Sequence, residues 1–207
     1  MLKVGLTGGM ASGKSVVGEM LARRGAHVLQ ADEIAHRLME PGRPVYDAVV
    51  REFGRAILDA DGRIDRQKLA AEAFGGPGRP ARINDLNHIV HPAVIRHQEN
   101  WMEETGRADP HAIAVIEAAL IVEAGLTDHF DKIILVTCRT EQRAERLASR
   151  LKSDIDTAQR EVTRRMAAQL PDNEKAMVAD FVVDNSGTQS ETEQQVEQIL
   201  RELRKSA

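Results

Sequence analysis

Aromatic side chains are scarce in this chain: its 207 residues include one tryptophan, one tyrosine and four phenylalanines. A protein that binds single-stranded nucleic acid needs stacking faces beside a basic stripe. Here the net charge is −4, so no nucleic-acid partner is expected. The single cysteine, Cys138, excludes an intrachain disulfide and suits a reducing compartment. It follows the apolar run Ile133-Ile134-Leu135-Val136 and reads as a buried structural thiol rather than a nucleophile. Long apolar runs are missing as well. The N-terminal one is too short for a signal-peptide core. The longest other, Ala112 to Val122, is interrupted by Glu117 and too short to span a bilayer. The expectation is a cytoplasmic monomer with no membrane partner, with room for one good core and a small appended subdomain.

What the chain does have begins at residue 8. Gly8-Gly9-Met10-Ala11-Ser12-Gly13-Lys14-Ser15 fits G-x-x-x-x-G-K-[ST]. Leu2 to Thr7 before it reads as a buried strand. After it, Val16, Val17, Met20 and Leu21 recur at helical spacing up to Gly25, a candidate C-terminal cap. Strand, glycine-rich loop and helix, in that order, make the phosphate loop's context. Backbone N–H groups and the helix N-terminus then face one anion. Lys14 is expected to reach the β- and γ-phosphates, and the Ser15 hydroxyl to ligate Mg²⁺. The motif points to a nucleoside triphosphate.

Four further segments read as buried strands: His27 to Gln30, Ala112 to Ile116, Lys132 to Thr137 and Phe181 to Val183. Helical stretches alternate with them, so the fold class is α/β, with a parallel five-stranded sheet flanked by helices. Some eighty residues separate the second and third of these strands, far more than a crossover needs. This insert, over 33–111, is helical by pattern. Shared faces are Val45, Val49 and Val50; Leu69, Ala73 and Phe74; and Ile83, Leu86, Val90 and Val94. Its breaks fall at Pro41-Gly42, Asp59-Ala60-Asp61-Gly62 and Gly75-Gly76-Pro77-Gly78. It reads as a substrate-binding subdomain, with a structural elaboration as the alternative. The tail from Ser190 reads as a polar helix with Val196, Ile199 and Leu203 as its packing stripe.

Candidate site residues cluster after the strands, where open α/β sheets bind ligands. Asp32 is placed to deprotonate an acceptor hydroxyl. It also suits the N-cap of a helix starting at Glu33, and the two roles are compatible. Glu117 ends the third strand, where an acid supports Mg²⁺ through water, and Glu123 follows six residues later; the alternative for each is an ordinary capping or surface acid, and for Glu123 the two readings weigh equally. Arg139, Arg143, Arg146 and Arg150 fall along one side of a helix, with Ala144, Leu147 and Leu151 on another. Arg160, Arg164 and Arg165 follow on a helix opened by a capping box at Asp156 and Gln159. One or two of these arginines are expected at the nucleotide and the rest in solvent. The region 139–171 reads as a lid. Asp184-Asn185-Ser186-Gly187 is either a base-holding turn or a plain loop.

The ordered set resembles the dephospho-coenzyme A kinase family over nearly the whole chain. The landmarks are Leu6 to Ser15, Val28 to Ala35, Phe53-Gly54, Asp61-Gly62, Asp65-Arg66 with Leu69, and His91-Pro92. Gln142 with Arg146, Leu147 and Arg150, then Arg165, Gln169, Lys175, Ala179-Asp180 and Asn185-x-Gly187, complete it. The resemblance implies a phosphate-loop kinase fold with a helical acceptor-binding insert and a helical lid. It implies transfer of the γ-phosphate of ATP, with Mg²⁺, to the ribose 3′-hydroxyl of dephospho-coenzyme A. By the same resemblance Asp32 is the base, and Lys14 and Arg146 stabilise the transferring group. Gly8 to Val16 hold ATP, and Asn185 to Gly187 lie near adenine. The departures are Gln30 for the first aspartate of Asp-Ala-Asp, His36 for a common arginine, Ala11 for a frequent glycine, and no proline between Glu117 and Glu123. An adenylate- or shikimate-type kinase is the nearest rival. A GTP switch would need an Asn-Lys-x-Asp segment, and the chain has none.

Overall fold

The structure is a computed structural model that describes residues 1–75 and 80–206. The expected break at Gly76-Pro77-Gly78 lies outside the described residues. Two compact units make up the chain. One comprises Met1–Gln30 and Met102–Ala207, the other Ala31–Trp101.

The first unit is built on five parallel strands: β1 (Leu2–Thr7), β2 (His27–Gln30), β3 (Ile113–Glu117), β4 (Lys132–Thr137) and β5 (Phe181–Asp184). Their order is β2-β3-β1-β4-β5. The central strands β1, β3 and β4 are largely buried on both faces, as a parallel sheet covered by helices requires. The edge strands correct the expectation of burial: no residue of β2 is fully buried, and in β5 only Val183 is, with Val182 exposed. Alternate residues of one face, Leu2, Val4 and Leu6 with Val115, Ile134 and Val136, meet Val17, Met20 and Leu21 of α1 (Lys14–Arg23). Val196, Ile199, Leu200 and Leu203 of α9 (Gln189–Ser206) close the same core, so the expected tail stripe does pack. Gly5 points to the other face, where an added Cβ would come within 2.8 Å of Ile133 Cδ1. β1 is flanked by β3 on one side and β4 on the other, so the order reverses at its carboxyl end. That is the crevice where open α/β sheets take their ligands. The end of α1 is as the sequence suggested. Gly25, at φ 95°, donates to the Ala22 carbonyl and Ala26 to that of Leu21, which completes a left-handed stop.

The second unit is helical: α2 (Ala31–Leu38), α3 (Pro44–Phe53), α4 (Arg66–Phe74) and the part of α5 (Ile83–Ala108) up to Trp101. Val45, Val49, Phe53, Ile57, Leu69, Ala73 and Val90 are its core. Pro44 sits at the first turn of α3, where a missing N–H costs nothing. Asp65 caps α4 by accepting from the N–H groups of Gln67 and Lys68. Asp59 closes the turn before it, accepting from Asp61 and Arg63. Three expectations need correction. Phe74, at the end of α4, is 59% exposed and leaves the face it was assigned to. α2 begins at Ala31, so Asp32 lies inside the first helical turn and is not its N-cap. Leu151 likewise is exposed at the last turn of α6 (Thr140–Leu151), where the helix stops at a left-handed Lys152.

Candidate functional site

The loop between β1 and α1 owes its shape to three unusual backbone conformations. Gly8 has φ 153°, Ala11 φ 56° and Gly13 φ 97°. Two of these positions also leave no room for a side chain. A Cβ on Gly8 would lie 2.3 Å from the Val136 carbonyl oxygen, and one on Gly13 would lie 2.0 Å from Asn185 Nδ2. Ala11 tolerates the left-handed region at a cost that glycine would not incur. A glycine would take the same conformation without strain.

Side chains converge on this loop from α1, the end of β3, α6 and the turn after β5, all of the same unit. Lys14 Nζ folds back and donates to the Gly8 carbonyl at 3.1 Å. Ser15 Oγ donates to Glu117 Oε1 at 2.7 Å, and Glu117, at the end of β3, is buried. Arg146 of α6 donates to the Ser12 carbonyl at 3.1 Å and to that of Asn185 at 2.8 Å. Asn185 is itself buried. Its Nδ2 donates to the Ser12 carbonyl at 2.8 Å, and its Oδ1 accepts from Thr192 Oγ1 at 3.0 Å. The side-chain amide thus braces the loop and is already committed.

A cavity of about 460 Å³ opens over these groups. Of the expected nucleotide residues, Ala11, Ser12, Gly13, Lys14, Ser15, Val16, Arg146, Asn185 and Gly187 line it. Gly8, Gly9 and Met10 do not, and Met10 is buried instead against Leu147, Ala158 and Val162. Arg150 and Gln189 also line the cavity. Gln189 carried no sequence signal, since it opens an ordinary polar helix. The Ser15 hydroxyl and Glu117 carboxylate are hard oxygen donors side by side. This pairing fits Mg²⁺, which takes one or two protein oxygens and completes its shell with phosphate and water. A curled backbone at a helix N-terminus likewise fits a polyphosphate.

The arginine cluster divides differently from the sequence expectation. Arg143 is neither at the cavity nor in solvent. It is 1% exposed, paired with Asp172 of α8 (Asp172–Ala176), and donates to the Met10 carbonyl at 3.3 Å. Arg139 lies just outside α6 as its N-cap, while Arg164 and Arg165 share Glu161 on α7 (Ile155–Met166). The cap of α7 is Asp154, accepting from Thr157 N, in place of the expected Asp156 and Gln159. Glu123 is not a surface acid. It pairs with the fully buried Lys175 at 2.7 Å and accepts from Leu170 N. Burial raises the Cys138 thiol above its ordinary pKa, against the opposing pull of Arg143 and Arg146, so it stays a half-buried neutral group. Asp32 is exposed and belongs to the helical unit, two residues past the carboxyl end of β2.

The dephospho-CoA kinase family model matches residues 2–191. A dephospho-CoA kinase of Leifsonia xyli subsp. xyli is 39% identical over 204 residues, 99% of this chain and all of that one. The solved Thermus thermophilus protein TT1252 has a TM-score of 0.78 at 32% identity, over 98% of this chain and 97% of its own. A dephospho-CoA kinase from Campylobacter jejuni shares the fold at a TM-score of 0.62 and 20% identity, over 98% and 97% of the two chains. The chain belongs to the dephospho-CoA kinase family, which carries out the final, ATP-dependent step of coenzyme A biosynthesis.

Proposed function

We propose that this chain performs its family's reaction with Asp32 as base and the loop Gly8–Val16 as the seat of ATP. The Asp32 carboxylate accepts the proton of the ribose 3′-hydroxyl of dephospho-CoA. The 3′-oxygen bonds to the γ-phosphorus as the bond to the bridging oxygen breaks, and ADP leaves. Lys14, released from the Gly8 carbonyl, and Arg146, drawn from its loop carbonyls, meet the charge on the transferring group. Ser15 and Glu117 hold Mg²⁺, which neutralises phosphate charge when bound. Asn185 orders the loop, and the backbone at Gly187 lies beside adenine. The helical unit takes the acceptor, residues 139–171 act as the lid, and the protein works as a cytoplasmic monomer. Among the described residues no helix is long and apolar enough to cross a membrane.

The observation that carries the reading is the Ser15–Glu117 hydrogen bond, which sets a hydroxyl and a carboxylate together at the mouth of a phosphate loop. The test offers Mg-ATP with dephospho-CoA, shikimate or a nucleoside monophosphate. Dephospho-CoA alone should consume ATP. Asp32→Asn should lower turnover by about 10²–10⁴-fold with ATP affinity unchanged. A variant that keeps most of its rate removes Asp32 from the chemistry.

A further inference from the structure

The helical unit has a second cavity, of about 520 Å³, formed entirely from its own residues. His36 of α2, Arg63 from the turn before α4, and Arg66 at the start of α4 face it. Met39, Pro41 and Ile64 supply an apolar wall, and Glu40 is the single carboxylate among its lining residues. Among the described residues, neither guanidinium nor the His36 ring has a side-chain hydrogen bond or ion pair. Two guanidiniums facing a hollow lined by one carboxylate leave it net positive, and an anion bound there offsets their repulsion. His36 is held largely neutral beside them. Burial first, and then Arg66, hold its pKa below the ordinary value, while Asp32 and Glu33 oppose them.

The position of the cavity along α2 indicates which anion. His36 is four residues beyond Asp32, so the two share a helix face about 6 Å apart along the axis. In dephospho-CoA the ribose 3′-hydroxyl and the 5′-diphosphate are separated by one side of a sugar ring and a C–O bond, a span of the same order. We propose that this cavity holds the diphosphate of dephospho-CoA, gripped by Arg63 and Arg66 beside His36, with the pantetheine arm leaving along Met39, Pro41 and Ile64. The inference rests on the acceptor reading above, and it makes Arg63, Arg66 and His36 binding residues for the acceptor.

Steady-state kinetics on the full chain test it. Arg66→Met and Arg63→Met should each raise KM for dephospho-CoA about tenfold, a loss of the size of one charge-assisted bond to phosphate. Both kcat and KM for ATP should stay within about twofold. Arg66→Lys should recover most of the loss, and His36→Arg, which adds a permanent charge, should lower KM. Both arginines are exposed, so the substitutions leave the helical core intact. An unmoved acceptor KM overturns the assignment, and so does an equal rise in KM for ATP. If the wild-type protein turned over no dephospho-CoA, the acceptor reading itself would fail. Normal turnover with insensitive arginine variants would overturn only the cavity's role.

Discussion

Arg143→Met is the most informative substitution outside the chemistry. The side chain is 1% exposed, pairs with Asp172 and donates to the Met10 carbonyl. It also lies where a Cβ on Gly9 would stand, with Nη1 2.1 Å from that position. Breaking a fully buried ion pair by removing one partner costs about 3–5 kcal/mol. Asp172 keeps 28% of its side chain exposed and can be hydrated once abandoned, which brings the expectation to about 2–3 kcal/mol. For a chain of this size that is a fall in Tm of roughly 5–10 °C. Arg143→Met with Asp172→Leu leaves no stranded charge and should melt within about 1 kcal/mol of wild type. Thermal unfolding followed by circular dichroism reads both. A single variant that melts like wild type, or a double variant worse than the single, would refute the claim that this buried pair braces the phosphate loop.

Asn185→Asp replaces the donor on the Ser12 carbonyl with a second acceptor. It should weaken ATP binding by about tenfold or more, measured by calorimetric titration, and unchanged affinity would separate this residue from loop shape. Ala11→Gly should leave stability within about 1 kcal/mol, whereas Ala11→Val, a β-branched residue at φ 56°, should cost about 1–3 kcal/mol in urea unfolding. The Glu161 carboxyl is held at about 2, chiefly by the hydrogen bond from Arg164 and further by Arg165, against desolvation. Its folded pKa lies below the unfolded value. The stabilisation is therefore complete above about pH 4.5 and is lost as pH falls toward 2. Both arginines are more than half exposed, so salt should screen the effect. Carbon-detected NMR titration of that carboxyl gives the midpoint, and a value near 4 would contradict the pairing.

The strands and the phosphate loop were legible because their signals are local. A Val/Ile run bounded by turns and a G-K-S motif each lie within a dozen residues. The insert's core faces were legible for the same reason, through Val45 and Val49 and through Ile83 to Val94. What failed was long-range. Periodicity put Arg143 on one side with Arg146, but only its partner 29 residues on decides that it is buried. Glu123 gave no hint of Lys175, which reaches it from a later helix. Helix ends slipped where two residues of one chemistry compete. Asp154 and Asp156 are both good caps, and the left-handed Lys152 that ends α6 settles the choice. The missing N-cap role of Asp32 has a different origin: β2 runs into α2 without an intervening loop.

The strand order also constrains biosynthesis. β1 and β2 emerge from the ribosome before the other three strands, yet they are not neighbours, and each pairs with β3, which follows residue 101. A nascent chain cut off there holds every core side chain of the helical unit but two strands with no mutual ladder to form. Vectorial synthesis therefore favours helices first and sheet last, and the nucleotide seat is completed only when β5 and α9 arrive.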